Sequence, residues 1–124
     1  MAYAERHSVT ITTDGSGDAI GYTPVITGKI LKVIYDKTDY ADGVDLDIVT
    51  ETTAQNIWVE ANVNADKAVC PRQATHDTVG AASLYAAGGE PVEDYIWAVN
   101  ERVKITVDEG GATKSGVFIV LVGG

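Results

Sequence analysis

Apolar and polar residues alternate with a period of two along most of this chain, the pattern of strands with one face buried and the other wet. Val9 and Ile11 alternate with Ser8, Thr10 and Thr12 before Asp14-Gly15-Ser16-Gly17, which predicts a half-buried strand entering a tight glycine turn. From Val25 to Tyr35 the second half alternates Leu31, Val33 and Tyr35 with Ile30, Lys32 and Ile34, and Lys32 is its only strongly polar residue, which predicts a central strand. Across residues 43–51 Val44, Leu46 and Ile48 fall on one side and Asp45, Asp47 and Val49 on the other. Ile57, Val59, Ala61 and Val63 then alternate with Trp58, Glu60 and Asn62, so the two runs predict a hairpin with Thr52 to Gln55 as its turn.

The pattern lapses from Asn64 to Gly89, where Pro71 and Gly88-Gly89 interrupt small residues. Asp77 as a cap and Gly88 as a stop would allow one short helix there, but the segment is too short and irregular, and a packed loop is the expectation. Order returns with three strands, over 93–99, 102–109 and 117–122. The last, VFIVLV, has no polar alternation, which predicts a mid-sheet strand with both faces covered, one of them by this domain or by another subunit. Seven or eight strands with little or no helix predict an all-β fold: an antiparallel β-sandwich, jelly-roll-like, or a flattened barrel. The expected organisation is an N-terminal arm over residues 1–7 and a single domain over 8–124.

Composition narrows the function. A mass of 13.1 kDa suits one core. A net charge of −9 repels phosphate backbones, so nucleic acid is not an expected partner. Cys70 is the only cysteine and cannot form an internal disulfide, the expected compartment is reducing, and neither a leader nor an apolar run of membrane-spanning length is apparent, so synthesis in a cytoplasm without membrane partners is expected.

No residue set declares a reaction. Gly15, Gly17 and Gly21 imitate a dinucleotide fingerprint with the wrong spacing, and Pro24 follows where the phosphate-binding helix would start. Asp36, Asp39, Asp42, Asp45 and Asp47 offer oxygens to a divalent cation but fit no EF-hand spacing, and turn chemistry with a solvated face is the favoured reading. Cys70 and His76 offer a nucleophile and a base, with Asp77 or another acid to orient the imidazole, but a small hydrophobic cysteine beside Pro71 and a surface loop histidine is the favoured reading, and Ser83 and Ser115 lack a nucleophile elbow. The expectation is therefore no catalytic residue, cofactor or metal. Trp58 and Trp97 are expected in the core or at a subunit interface before a sugar platform.

The succession Tyr35, Asp42-Gly43-Val44-Asp45-Leu46-Asp47-Ile48, Thr50-Glu51-Thr52, Gln55-Asn56-Ile57-Trp58, Asn62-Val63-Asn64 and Pro71-Arg72 resembles small structural proteins of tailed bacteriophages. It continues through Gly80, Tyr85, Arg102-Val103-Lys104-Ile105, Gly110-Gly111 and Lys114-Ser115-Gly116, covering about residues 26–122. The resemblance implies a virion protein similar to capsid decoration, or cement, proteins: a β-sandwich on the capsid exterior that bridges major capsid subunits and assembles as a homo-oligomer, trimer or dimer. The contacts expected on this basis involve Met1, Ala2, Tyr3, Arg6 and His7 of the arm, Asp39, Tyr40 and Asp42 of the acidic turn, Trp58, Trp97, and the connection beginning at Arg72. The alternatives are a tail-tube, tail-terminator or head-completion protein, and a carbohydrate-binding module.

Overall fold

The computed structural model describes residues 3–124. It contains β1 (Ala4–Thr12), β2 (Ala19–Tyr22), β3 (Ile26–Asp36), β4 (Asp45–Thr50), β5 (Asn56–Glu60), β6 (Lys67–Val69), β7 (Gln73–Ala74), β8 (Glu93–Asp94), β9 (Ile96–Glu101), β10 (Val103–Asp108) and β11 (Ser115–Gly123). Among the described residues there is no helix, and every strand pairing is antiparallel. One sheet runs β1-β11-β3, with β6 and β9 sharing the far edge of β3; the other runs β2-β10-β4-β5. The chain is an antiparallel β-sandwich, and the strands beyond the expected seven or eight are short ones such as β2, β6, β7 and β8.

The alternating apolar rows meet between the sheets. Ile30, Val33, Phe118, Val120 and Val122 come from the first sheet and Leu46, Ile48, Val103, Ile105 and Val107 from the second, all essentially sealed from water. β-Branched side chains suit this pleated, half-buried surface, so propensity and burial agree along these strands. An aromatic cluster fills one end: Tyr35 and Phe118 ring centres lie 5.2 Å apart, and Tyr35 meets Trp58 edge-on at 6.1 Å. Tyr40 packs beside them and donates from its hydroxyl to the Ile11 carbonyl at 2.6 Å. Gly116 lies beneath the Tyr40 ring, where any Cβ would collide with it.

Two expectations are corrected here. Ala4 to His7 are part of β1, paired residue by residue with β11 from Ala4 opposite Gly123 to His7 opposite Val120, so residues 4–7 are strand and not arm; Met1 and Ala2 lie outside the described residues. In β5 the regular alternation fails, because Ile48 faces Trp58 while Val49 faces Asn56, leaving Ile57 as an extra residue in a bulge. Ile57 and Trp58 are consequently both buried and Val59 points outward at 58% exposure.

Glu101 ties the two sheets together. At 4% exposure it accepts from the Thr52 N–H at 2.8 Å, the Thr53 N–H at 3.0 Å and the Thr53 hydroxyl at 2.9 Å, holding the β4–β5 turn against β9. A buried carboxylate is tolerated because its oxygens are satisfied in this way.

Candidate interaction surfaces

Strand register decides what each outer sheet face presents. Across the first sheet, Arg6 stands opposite Leu121 and Leu121 opposite Lys32; Ser8, Ile119 and Ile34 form the next row; Thr10, Val117 and Asp36 the one after. Phe118, Val120 and Val122 face the core, so these rows face outward. β3 has one more residue than β11 at this point, and Leu31 turns outward there, its side chain lying over Gly123. Val117, Ile119, Leu121, Leu31 and Ile34 are half-buried, and among the described residues the second sheet packs on the opposite side.

Cations border this apolar strip. Among the described residues Arg6, Lys29, Lys32 and Arg72 make no ion pair, whereas Lys37, Lys67 and Arg102 pair with Asp42, Glu60 and Glu51. Lys29 holds its ammonium 5.3 Å from the Tyr95 ring centre and 5.5 Å from that of Trp97, and the Arg72 guanidinium lies 4.0 Å over Tyr95. Tyr3 closes the nearby corner, donating from its hydroxyl to the Thr27 carbonyl at 2.6 Å. Of the six Lys and Arg without an ion pair among the described residues, Arg6, Lys29, Lys32 and Arg72 lie on or beside this face, and Lys104 and Lys114 lie elsewhere, on β10 and in the loop before β11.

Between β6 and β9 the chain leaves the β3 edge as an arm. β7 and β8 pair at its root, His76 bridges to Ala82, and Leu84 bridges to Pro91. Backbone bonds give it form: Thr75 N–H to the Val92 carbonyl at 2.8 Å, Val92 N–H to Ser83 at 2.8 Å, Ser83 N–H to Thr75 at 3.0 Å and Tyr85 N–H to Glu90 at 3.0 Å. The Asp77 carboxylate accepts from the Val79 and Ala81 N–H groups and sets the tip turn. No side chain from Gln73 to Asp94 is buried, and Val79 and Tyr85 are 85% and 76% exposed. The expected packed loop is thus a projecting, self-bonded arm with an apolar tip.

The acidic regions resolve into turn chemistry. Asp36 accepts from the Thr38 N–H at 2.9 Å, Asp39 from Ser115 at 2.7 Å, Asp45 from Asn62 at 3.0 Å and Asp66 from Lys37 at 3.0 Å. Asp14, Asp18 and Asp108, with Ala19, Ile20 and Thr106, line an open recess of about 340 Å³ on the outer side of the second sheet. Reduced hydration, then the nearby Asp18, Asp45 and Asp47, push the exposed Asp108 carboxyl above its ordinary value, while backbone N–H groups of Asp18 and Ser16 hold Asp14 below its own. Among the described residues no group of His, Cys, Asp or Glu has the arrangement of a metal site.

Of the residues expected to contact a partner, Tyr3, Arg6, Arg72 and Trp97 surround the outer face of the first sheet, and Trp97 is 44% exposed. His7 lies beside Glu5 at 3.0 Å on the same edge strand. Asp39 and Asp42 sit in the turn after β3, bonded to Ser115 and Lys37. As surface contacts Tyr40 and Trp58 are corrected: at 2% and 7% exposure they belong to the core, Tyr40 through its bond to Ile11 and Trp58 through the β5 bulge, the core being one of the two places expected for Trp58. Sequence reasoning passed over Leu31, Lys29, Lys32, Tyr95, Val79 and Leu84, although the unalternating VFIVLV run already indicated an outer face in need of cover. The chain matches no family model, and no curated protein or solved structure matches it.

Proposed function

We propose that this chain is a bacteriophage capsid decoration protein, a homo-oligomeric sandwich that sits on the head exterior and stabilises it by bridging major capsid subunits. The observation that carries the reading is the pairing of a stiff, sealed core with two unfinished surfaces: an apolar outer sheet face bordered by unpaired cations, and an arm with an apolar tip and no core of its own. Surfaces of this kind are completed by neighbouring molecules. The phage-like sequence words point to a lattice as the neighbour. Binding only the assembled shell stabilises it by mass action, and many copies make modest affinity per contact sufficient.

Imaging of purified particles tests this. Density of this chain repeated at capsomer junctions over the whole head is the expected result. A single ring at the neck or along the tail would replace this reading with a connector or tube role, and absence from particles would overturn it.

A further inference from the structure

We propose that the outer face of the first sheet is covered by the arm of a second copy of this chain. The face presents Leu31, Ile34, Ile119 and Leu121, with Arg6 and Lys32 flanking Leu121. The arm presents Val79, Leu84 and Tyr85, and from Gln73 to Asp94 it carries Asp77, Glu90, Glu93 and Asp94 with no Lys or Arg. Apolar therefore meets apolar, and the unpaired cations meet an element that is uniformly acidic.

The rest of the surface argues for a copy of the same chain. Its charge of −9 makes most approaches between copies repulsive, and arm-on-face is an approach that reverses the sign, with four of the six unpaired cations on or beside the face. The arm does not lie on its own face, because Val79 and Tyr85 remain 85% and 76% exposed. Exchange closes either reciprocally about a two-fold axis, as a dimer, or cyclically, as a trimer. Face and arm as docking surfaces underlie this assignment, but no shell takes part in it.

Sedimentation velocity of the purified full chain provides the test. The wild type is expected to associate with a Kd on the order of 10 µM or tighter. Arg6→Glu with Lys32→Glu on the face, or Glu90→Lys with Glu93→Lys on the arm, should each weaken association at least about tenfold by placing like charges together. All four reversals in one chain should restore it, and this recovery also shows that the substituted chains fold. A monomeric wild type, reversals without effect, or failure of the combined variant to recover would each overturn arm exchange. A wild type that is monomeric in solution yet coats shells would leave the decoration reading intact, whereas association without shell occupancy would overturn decoration alone.

Discussion

From Ile26 to Asp36 the strand alternates outward residues with side chains sealed in the core, whereas from Gln73 to Asp94 no side chain is buried, yet both segments are held in extended, backbone-bonded form. In β3 the hydrogen bonds are secondary to the removal of Ile30, Val33 and Tyr35 from water. In the arm, backbone bonds and the Asp77 turn act almost alone, and such bonds have a small net value because water competes for the same groups. Shape and stability are thus separable in this molecule. The sandwich has both, and the arm has shape with little stability of its own.

The sharpest break in that comparison is at Phe118. Phe118→Ala should cost about 3–5 kcal/mol, because it removes a fully buried ring against which Tyr35 and Tyr40 pack. Denaturant midpoints measure it, and a cost below about 1 kcal/mol would deny the core its role.

Glu101→Gln comes next, at about 1–3 kcal/mol, since it weakens charge-assisted bonds from Thr52 and Thr53. Burial alone would push the Glu101 carboxyl up, but those bonds outweigh it and hold the group below its ordinary 4.5. The ionised form is therefore the one the fold favours. Its contribution is present above about pH 4.5 and disappears as pH falls through the lower folded value, so the gap between wild type and variant should narrow under acid.

Two tyrosines make a finer contrast. Tyr40→Phe should cost about 1 kcal/mol by leaving the buried Ile11 carbonyl without its hydroxyl donor. Tyr35→Phe should cost nothing or stabilise slightly, because the Tyr35 hydroxyl is buried and finds no partner among the described residues. Opposite results for the pair would show that the aromatic cluster is organised by packing alone.

Smallest are the surface changes. Asp108→Asn should stabilise the fold slightly at pH 7, by no more than about 0.5 kcal/mol after solvent screening, read from the thermal midpoint. The raised carboxyl means that the destabilising ionised form is lost as pH falls, so the benefit should vanish in acid. Val79→Ser with Tyr85→Ser should change stability by less than about 0.5 kcal/mol, since neither side chain is buried. Amide exchange should then be faster in the arm than in β3 or β11; equal protection would mean that the arm is supported from elsewhere.

The same division explains what the sequence made legible. Period-two rows such as Val44, Leu46 and Ile48 report burial directly, so the sandwich and the β4–β5 hairpin could be read from them. The bulge at Ile57 could not, because one inserted residue reverses the facing of Trp58 and Val59 while leaving the composition unchanged. The arm was invisible for a related reason: its order lies in backbone bonds and an aspartate turn, neither of which imposes a hydrophobic period. The outer face was half legible. VFIVLV indicated that cover was needed, but the gathering of Arg6, Lys29 and Lys32 around it depends on pairing between strands far apart in the chain.

The clasp of β1 on β11 has a practical consequence. Ala4 lies opposite Gly123, and the Gly124 N–H reaches the Tyr3 carbonyl at 3.1 Å, so both ends of the described chain emerge at one corner. A short linker joining them would allow circular permutation, with new ends opened at the exposed Gly88–Gly89 turn of the arm. Fluorophores attached at Ala4 and at Gly124 would report from the same corner of the molecule.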